Sequence, residues 1–506
     1  MQYIATALEM KNIEKYVIEE VGIPSLVLME RAALSVTECI KKRAALKDKI
    51  CIVCGQGNNG ADGVTIARQL MEENYKVDVV LLGMEEKFSE ELKTQLAVYK
   101  KMGGQVFEQI LDKEYEIFVD AIFGIGLTRE ILDKRVLSAI KTINASDAYI
   151  YSVDIPTGIN TDTGCVMGIA IKADETITFT CEKVGSCIFP GKEYSGKVTI
   201  YPIGISEKWM HSHFVSHRSF DENDLKKILK ELPDGNKGTF GKVLIVAGNC
   251  EISGAALLCA KAAMKSGAGM VKVLSNEKTL DTIRIALPEA MMESLDNIEK
   301  IPEIIKKGIQ WADVVICGPG IGKDKDAYLK LESVLQEFPE DKKLVLDADA
   351  LNLISEYDEF KLLANKVNYV VYTPHMMELQ RLTGVEVKNL KSNLDQNMEK
   401  IVCNNKGVFV CKDSVTRVYV KDRPVYINRA GNSGMATAGC GDVLAGMIGA
   451  FVARKNVDFY DGIVGAVYLH SFAADMAAVQ IGKNSLMATD IIDKVATILS
   501  IVEDIS

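Results

Sequence analysis

The sequence has 506 residues, more than one hydrophobic core usually supports, so its length predicts two domains of roughly 200 to 300 residues each. Apolar residues make up 48% and charged residues 25%, a composition that excludes disordered and fibrous classes. The net charge is −10 and no long basic run occurs, which argues against nucleic acid or an anionic membrane as the main partner.

The cellular location is predicted from the first segment and from the cysteines. Charged residues interrupt the apolar ones in MQYIATALEMKNIEKYVIEE, a pattern of neither a signal nor a transit peptide, and no uncharged apolar run of about 18 residues is present to span a bilayer. Twelve cysteines are spread over strand-like and helix-like segments, as reduced thiols are. Cys51 and Cys54 form a CxxC, but in a strand they would point to opposite faces, which disfavours a redox or zinc role. We therefore expect a cytoplasmic protein.

Two α/β domains are predicted from the alternation of apolar runs with longer amphipathic segments. In the first half this βαβ rhythm predicts a mostly parallel sheet covered by helices. The rhythm pauses in a polar stretch near residues 216–222 and restarts with KVLIVAGN at 242–249. We expect an α/β chain with a Rossmann-like three-layer domain over 1–216 and a second α/β domain over 222–503.

A glycine-rich turn in the first half carries the first candidate site. CGQGNNGADG, residues 54–63, follows a strand and precedes an amphipathic helix, so its backbone N–H groups converge where a helix begins and an anion binds. A glycine trio alone also fits a plain tight turn, but Asn58, Asn59 and Asp62 add more polar groups than such a turn needs.

Two further strands of the first half end in acids followed by glycine-rich turns, VDAIFGIGLTRE at 119–130 and VDIPTGINTDTG at 153–164. Because the carboxyl ends of parallel strands meet in one crevice, Asn59, Asp120, Asp154 and Thr157 are predicted to face a common ligand. The alternative is that Asp120 and Asp154 only cap the turns that follow them.

The second half contains a pattern typical of phosphoryl transfer. AGNSGMATAGCGDVLAG, residues 430–446, places glycines where a helix begins and Asp442 one step further. Such N–H groups stabilise developing negative charge, while the carboxylate accepts a hydroxyl proton. The polar loop Lys412–Thr416 between two strand-like runs suits nucleotide phosphates, with Lys412 as the point charge, although such a loop is most often only a hairpin.

Other signals in the second half lie at strand ends, in CGPGIGKD, LDADALNL and YTPHMMELQRLTG. His375 follows a proline outside any apolar helical face, which favours a ligand contact over a core histidine. Asp347 and Asp349 either hold magnesium near phosphates or terminate their strand.

Taken together, these strings resemble the bifunctional NAD(P)H-hydrate repair enzymes, in which an epimerase domain is fused to an ADP-dependent dehydratase domain of ribokinase-like fold. The resemblance covers nearly the whole chain, with both sets of strings in the family's order. It implies that the substrates are NADHX and NADPHX, which are NADH and NADPH hydrated at carbon 6 of the nicotinamide ring. The first domain would interconvert the two epimers, and the second would dehydrate the S epimer with ADP, releasing AMP and phosphate.

The resemblance also assigns residues to each site. In the epimerase, Asp154 would be catalytic, potassium would bind to Asn59, Asp120 and Thr157, and the hydrate would contact Asn58, Asn59, Gly60, Ala61, Asp62, Gly124, Ile125, Gly126, Leu127, Thr128, Arg129, Glu130 and Asp154. In the dehydratase, which would use magnesium, Asp442 would be the catalytic base, the hydrate would contact Ala255, Gly320, His375 and Asp442, and ADP would contact Lys412, Asp413, Ser414, Val415, Thr416 and Gly441.

The sequence departs from the family pattern at Met376 and Met377, where Pro-Gly is common, and at Cys440, where Ser or Thr is usual. Lys183 lies in a stretch that resembles the end of the epimerase site, but it has no assigned role, and a surface lysine is the alternative. We expect a homo-oligomer without nucleic-acid or membrane partners. Two other hypotheses stay open from the residues alone: a ribokinase-type small-molecule kinase, and a first half that only senses dinucleotides.

Overall fold

The computed structural model describes residues 2–212, 215–229, 235 and 237–503, and the chain divides into two compact units, Gln2–His217 and Arg218 onward. Both units are α/β folds built around largely parallel sheets. The α/β class expected from the alternating pattern is therefore confirmed.

In the amino-terminal unit, strands and helices alternate along most of the chain. Its elements are β1 (Gln2–Ala5), α1 (Ala7–Glu19), α2 (Ser25–Lys41), β2 (Lys49–Cys54), α3 (Asn58–Glu72), β3 (Lys76–Leu81), α4 (Glu90–Lys101), β4 (Val106–Phe107), β5 (Ile117–Ala121), α5 (Lys134–Asn144), β6 (Tyr149–Val153), β7 (Glu175–Phe179), β8 (Glu182–Lys183), α6 (Val184–Cys187), α7 (Gly191–Tyr194), β9 (Lys197–Tyr201) and α8 (Glu207–Ser212).

Seven of these strands form one parallel sheet in the order β4-β3-β2-β5-β6-β7-β9. Successive side chains of a strand point to opposite faces, and β2 illustrates this: Ile50 and Ile52 enter one core while Cys51 and Val53 enter another. The chain runs from β2 to β3 and β4 on one side of β2, and then crosses to β5 on the other side. A crevice forms at such a reversal, beyond the carboxyl ends of the strands.

A short strand, β10 (His217–Ser219), lies in the sequence at the boundary between the two units, and the carboxyl-terminal unit continues from it. Its further elements are α9 (Glu222–Ile228), β11 (Lys242–Val246), α10 (Gly254–Lys265), β12 (Met270–Ser275), α11 (Glu277–Ala286), β13 (Met291–Ser294), α12 (Ile301–Trp311), β14 (Val314–Cys317), α13 (Lys325–Leu335), β15 (Lys343–Leu346), α14 (Asp349–Glu356), α15 (Asp358–Ala364), β16 (Tyr369–Tyr372), α16 (Met376–Thr383), α17 (Val387–Ser392), α18 (Leu394–Cys403), β17 (Val408–Cys411), β18 (Arg417–Tyr419), β19 (Val425–Ile427), α19 (Cys440–Ala453), α20 (Phe459–Ile481) and α21 (Ala488–Glu503).

Nine strands of this unit pair in the order β13-β12-β11-β14-β15-β16-β17-β18-β19. Pairing is parallel from β13 to β17 and antiparallel from β17 to β19. Cys411 pairs with Arg417, so Lys412–Thr416 is the hairpin loop that the sequence predicted. Alternate residues of β11 again pack into two different cores. Val243 and Ile245 lie in the core on one face of the sheet, and Leu244 and Val246 lie in the core on the other face.

One helix, α20, is long and apolar enough to cross a membrane by length and composition. Within its most apolar window, 67% is buried inside the fold, where Ile463, Val464 and Val467 join the core. The helix is thus a core element of its unit.

All twelve cysteines are free thiols. Burial raises the pKa of Cys51 to about 12 and raises that of Cys54 further, so neither thiol of the CxxC is ionised near neutral pH. The expectation that this pair has no redox or zinc role agrees with that burial.

Close backbone approach at Gly55 gives a stability prediction. A Cβ added there would lie 2.0 Å from the carbonyl oxygen of Ile122, whereas one added at Gly57 meets nothing within 4 Å. We expect Gly55→Ala to lower the free energy of unfolding of the amino-terminal unit by about 1–3 kcal/mol, because backbone must move. Gly57→Ala, the matched control, should change it little. Chemical denaturation followed by circular dichroism measures both, and equal stabilities would contradict the prediction.

Candidate active sites

The amino-terminal unit has a cavity of about 470 Å³ at the carboxyl end of its sheet. Strands β2, β5 and β6 lead into the segments that line it, as expected where the strand order reverses. Of the residues that the sequence assigned to the hydrate, the following line this cavity: Asn58, Asn59, Asp62, Gly124, Ile125, Gly126, Leu127 and Asp154.

Five other assigned residues are not among those lining the cavity. Gly60 and Ala61 are buried in α3, where a Cβ at Gly60 would lie 1.9 Å from the carbonyl oxygen of Gly55. These two residues therefore set how closely the helix approaches the turn before it. The segment Thr128–Glu130 is exposed and lies beyond the lining residue Leu127.

Helix α3 begins at Asn58. Its N-cap is Gly57, so no side chain caps the first turn of the helix. The free backbone N–H groups of that turn and the positive end of the helix dipole are available to an anionic group. The side-chain amide nitrogen of Asn59 is buried and has no hydrogen-bond partner among the described residues. A buried polar group of this kind needs a partner, which a ligand in the cavity would supply.

Asp154 follows β6 and has a positive φ of 69°, a conformation that non-glycine residues rarely adopt. Its Oδ1 accepts hydrogen bonds from Lys183 Nζ at 2.5 Å and from Thr178 Oγ1 at 3.0 Å. The ammonium group also donates to Thr178 Oγ1 and to the carbonyl of Phe179. The strained backbone and the ion pair together fix the Asp154 carboxylate at the cavity wall.

The alternative that Lys183 is a surface lysine is wrong, because its side chain is 1% exposed. Burial lowers the pKa of Lys183, but the charge and hydrogen bond of Asp154, together with the charges of Cys181 and Glu14, raise the pKa overall. Sequence analysis missed this pair because β8 is only two residues long, and nothing local to it points to Asp154, 29 residues earlier.

Asp120, at the end of β5, is completely buried and accepts four hydrogen bonds. Its donors are Ile122 N, Ser152 Oγ, Thr157 N and Thr157 Oγ1, at 2.6 to 3.3 Å. All four donors are neutral. Burial raises the pKa of Asp120, which these hydrogen bonds oppose. Asp120 and Thr157, assigned together from the sequence, are thus in direct contact.

Glu14 is a cavity residue that sequence analysis missed altogether. It lies on α1, one turn from Met10 and Val17, which are buried, so the edge of the apolar face was its only signal. Burial raises the pKa of Glu14 to about 7, and the charge of Asp154 adds to this. Burial also raises the pKa of Asp62 well above its usual range, with further contributions from Asp154 and Glu14.

The carboxyl-terminal unit brings its predicted residues together at the carboxyl ends of β14 to β17. Gly320, with φ of 61°, lies against Ala255, because a Cβ added to it would be 3.1 Å from Cβ of Ala255. The same loop contacts the next strand end through the N–H of Gly322, which donates to Asp349 Oδ2 at 2.9 Å.

An ion pair connects two further strand ends. Lys412 Nζ donates to Asp347 Oδ1 at 2.7 Å, and Thr373 Oγ1 donates to the same oxygen at 2.6 Å. A Cβ added to Gly441 would lie 3.3 Å from Lys412 Nζ, so this ammonium group lies beside the start of α19. In the hairpin loop itself, Asp413 and Ser414 are exposed while Val415 is buried.

Helix α19 begins with Gly439 as its N-cap, in the left-handed conformation with φ of 89°. Asp442 lies in the first turn. Burial raises its pKa to about 7, the charge of Asp347 adds to this, and that of Lys412 opposes it. A carboxyl group in this state is suited to accept a proton at neutral pH.

His375 is the N-cap of α16, a structural role that the sequence analysis did not consider. Its Nδ1 accepts from the backbone N–H groups of Met377 and Glu378 at 3.1 and 3.2 Å. Burial lowers the pKa of His375, and the nearby Lys412 lowers it further, so the ring is neutral at pH 7. The His375 side chain is half exposed, and its Nε2 lies 3.4 Å from Glu378 Oε1.

Comparisons with known proteins match each half of the chain. Residues 243–497 match the family model described as NAD(P)H-hydrate dehydratase, and residues 25–185 match the model described as YjeF-related protein N-terminus. A ribokinase-like superfamily protein from Enterococcus faecalis is 29% identical, with a TM-score of 0.51 over 57% of this chain and 97% of its own. The ribokinase-like fold expected for the second domain is thereby confirmed.

Two curated relatives match over nearly their full length. A bifunctional NAD(P)H-hydrate repair enzyme of Moorella thermoacetica is 32% identical over 99% of this chain and 97% of its own. Another such enzyme, from Dictyoglomus turgidum, is 33% identical over 97% of this chain and 96% of its own. With both halves matched in the same order, the chain belongs to the family of bifunctional NAD(P)H-hydrate repair enzymes.

Proposed function

We propose that this protein repairs hydrated NADH and NADPH: its amino-terminal unit interconverts the epimers at carbon 6, and its carboxyl-terminal unit dehydrates the S epimer. The observation that carries the proposal is the presence of two separate carboxylate sites, one around Asp154 and one around Asp442, each at the carboxyl end of its own sheet. Two such sites match the two reactions of the family.

In the epimerase site, the assigned residues would divide the dinucleotide hydrate between them. The N–H groups at Asn58 and Asn59 would hold an anionic part of it, and Gly124–Leu127 would provide a further part of the lining. Asp154, oriented by Lys183, would contact the ring hydroxyl as the catalytic carboxylate. Gly60, Ala61 and Thr128–Glu130 would contribute less directly, since they lie outside the lining.

Potassium fits the group around Asp120. The carboxylate is completely buried and its hydrogen-bond donors are all neutral, so a cation would balance its charge. Oxygens of Asp120, Thr157 and Asn59 are the hard ligands that such an ion prefers. The ion would supply positive charge that keeps the loops after β5 and β6 in place.

In the dehydratase site, the β-phosphoryl group of ADP would be transferred to the ring hydroxyl. Asp442 would take the hydroxyl proton, and the N–H groups at the start of α19, with Lys412, would stabilise the phosphoryl oxygens. AMP leaves, and phosphate then leaves carbon 6 as carbon 5 loses a proton, which restores the ring double bond. Ala255, Gly320 and His375 would contact the hydrate, and Lys412–Thr416 with Gly441 would contact ADP.

Magnesium fits this site only together with the nucleotide. Asp347 and Asp349 are close enough to Asp442 for their charges to raise its pKa, and carboxylates are suitable ligands for magnesium. Among the residues that the structure describes, however, no cluster of three or more acidic, histidine or cysteine side chains is arranged to hold a metal. Nucleotide phosphates would therefore provide much of the coordination.

The free state of all twelve cysteines supports action in the cytoplasm, a reducing compartment. Assembly as a homo-oligomer, without nucleic-acid or membrane partners, stays a prediction.

A single assay tests the proposed function. Purified protein is incubated with mixed hydrate epimers and either ADP or ATP, and the absorbance of the reduced cofactor is followed. With ADP, we expect the reduced cofactor to be recovered from both epimers, with one AMP and one phosphate released per molecule repaired. Formation of a stable phosphorylated product from ATP would instead support a small-molecule kinase.

Removal of the Asp154 carboxylate separates the two activities. Asp154→Ala should abolish epimerisation, because the ring hydroxyl loses its catalytic carboxylate, while dehydration of purified S hydrate continues unchanged. Chromatographic separation of the epimers measures the first rate and absorbance the second. Asp162→Ala, at an acid outside the cavity lining, is the matched control. Loss of both activities in Asp154→Ala would point to unfolding.

Asp442→Asn should lower dehydration at least about 100-fold, the usual size of a general-base effect, and leave epimerisation intact. Because the ionised form of Asp442 is the active base and its pKa is about 7, wild-type kcat/KM should fall as the pH drops below 7. Asp493→Asn, at an exposed acid of α21, is the control. Full dehydration by the Asn variant would remove Asp442 from the mechanism.

A further inference from the structure

Three carboxyl groups reach the amino-terminal cavity from three different elements: Glu14 from α1, Asp62 from α3 and Asp154 from the end of β6. Only Asp154 has a cationic partner, Lys183, at hydrogen-bond distance. Glu14 and Asp62 form no hydrogen bond or ion pair with any residue that the structure describes. Their carboxyl groups are therefore available to a molecule in the cavity.

A second feature of the lining points to a ligand at the same place. The side-chain amide nitrogen of Asn59 is buried without a partner, and Asn59 lines the cavity together with Glu14 and Asp62. The three carboxylates are accompanied by two ammonium groups, those of Lys11 and Lys183, so together they would carry a charge of −1 if all were ionised. Such an arrangement stabilises positive charge that develops on a bound molecule.

We propose that Glu14 is a second catalytic residue of the epimerase site, which protonates the carbon 6 hydroxyl of the hydrate on one face of the ring while Asp154 accepts the proton of the water that adds to the other face. This inference rests on the proposed function. Two epimers carry their hydroxyl groups on opposite faces of the ring. A site that converts each into the other therefore needs proton-transferring groups on more than one element, and Glu14 and Asp154 provide them.

The chemical step balances without any other reactant. Glu14 gives its proton to the hydroxyl oxygen, the carbon–oxygen bond breaks with its electrons on oxygen, and water leaves. The lone pair of the ring nitrogen forms a double bond to carbon 6, which gives a planar iminium cation beside the carboxylates. Water then adds to the opposite face, its electron pair forms the new bond, and the released proton returns to a carboxylate.

The environment distinguishes Glu14 from Asp62. The pKa of Glu14 is about 7, raised by burial and then by Asp154, and lowered by Lys183 and by Lys11 on its own helix. Glu14 can therefore both give and accept a proton at neutral pH, which a reversible reaction requires. The pKa of Asp62 is raised well above its usual range, first by burial and then by the charges of Asp154 and Glu14.

The test compares Glu14→Gln with Glu20→Gln, a matched control at an exposed glutamate that follows α1. Epimerisation is measured without ADP, from pH 5.5 to 9, by separating the two hydrates. In the wild type, kcat should fall above about pH 7 as Glu14 loses its proton. Glu14→Gln should lower kcat at least about 100-fold, remove this basic limb and leave KM within about threefold. The control should match the wild type.

Labelled water gives an independent readout. In H₂¹⁸O, each wild-type turnover should place one ¹⁸O atom at carbon 6, at a rate above the uncatalysed exchange, and Glu14→Gln should lose this incorporation. Epimerisation without incorporation would overturn the step. Wild-type rate and pH profile in Glu14→Gln would overturn the role of Glu14.

Failure of the proposed function is recognised separately, because then the wild type itself would not epimerise the hydrates. Circular dichroism and chemical denaturation of the same variant serve as the folding control. Should Glu14→Gln fail to fold, Glu14→Asp decides: a lowered kcat with a displaced basic limb supports the inference, and an unchanged profile overturns it.

Discussion

Carboxyl groups taken out of water at the ends of parallel strands are the constraint on which both sites depend. In a partly enclosed site each such group must gain a cation, gain hydrogen bonds or keep a proton. Asp154 gains Lys183, Asp120 gains four neutral donors, and Asp442 has its pKa raised to about 7. The three outcomes assign three different chemical roles to one residue type.

The parallel sheet creates this situation twice. In each unit the strands end together, so short loops that are distant in sequence present their polar groups to one space. Glycines allow the close backbone approaches that this needs, as at Gly55 near Ile122, where a side chain would collide. Helices α3 and α19 then start at these loops, and their N–H groups add positive potential beside the acids.

Ion pairs within each site explain how it stays organised without its substrate. Lys183 holds Asp154, and Lys412 holds Asp347 in the other unit. Breaking such a buried pair leaves an uncompensated charge, so each lysine stabilises the geometry as well as the charge of its site. In the dehydratase unit the same lysine lies beside Gly441, where nucleotide phosphates are proposed to bind, so it would exchange one anionic partner for another.

The sequence alone predicted the α/β class and two candidate sites, because strand ends, glycine turns and helix starts are local patterns that keep their meaning in any parallel sheet. The resemblance to a known family supplied most of the candidate site residues. Only the tertiary structure revealed Lys183 beside Asp154 and Glu14 in the cavity, and that Thr128–Glu130 lie outside it. It also revealed that His375 caps a helix. Contacts between distant segments and the burial of single charges depend on how elements pack, and no periodicity records that.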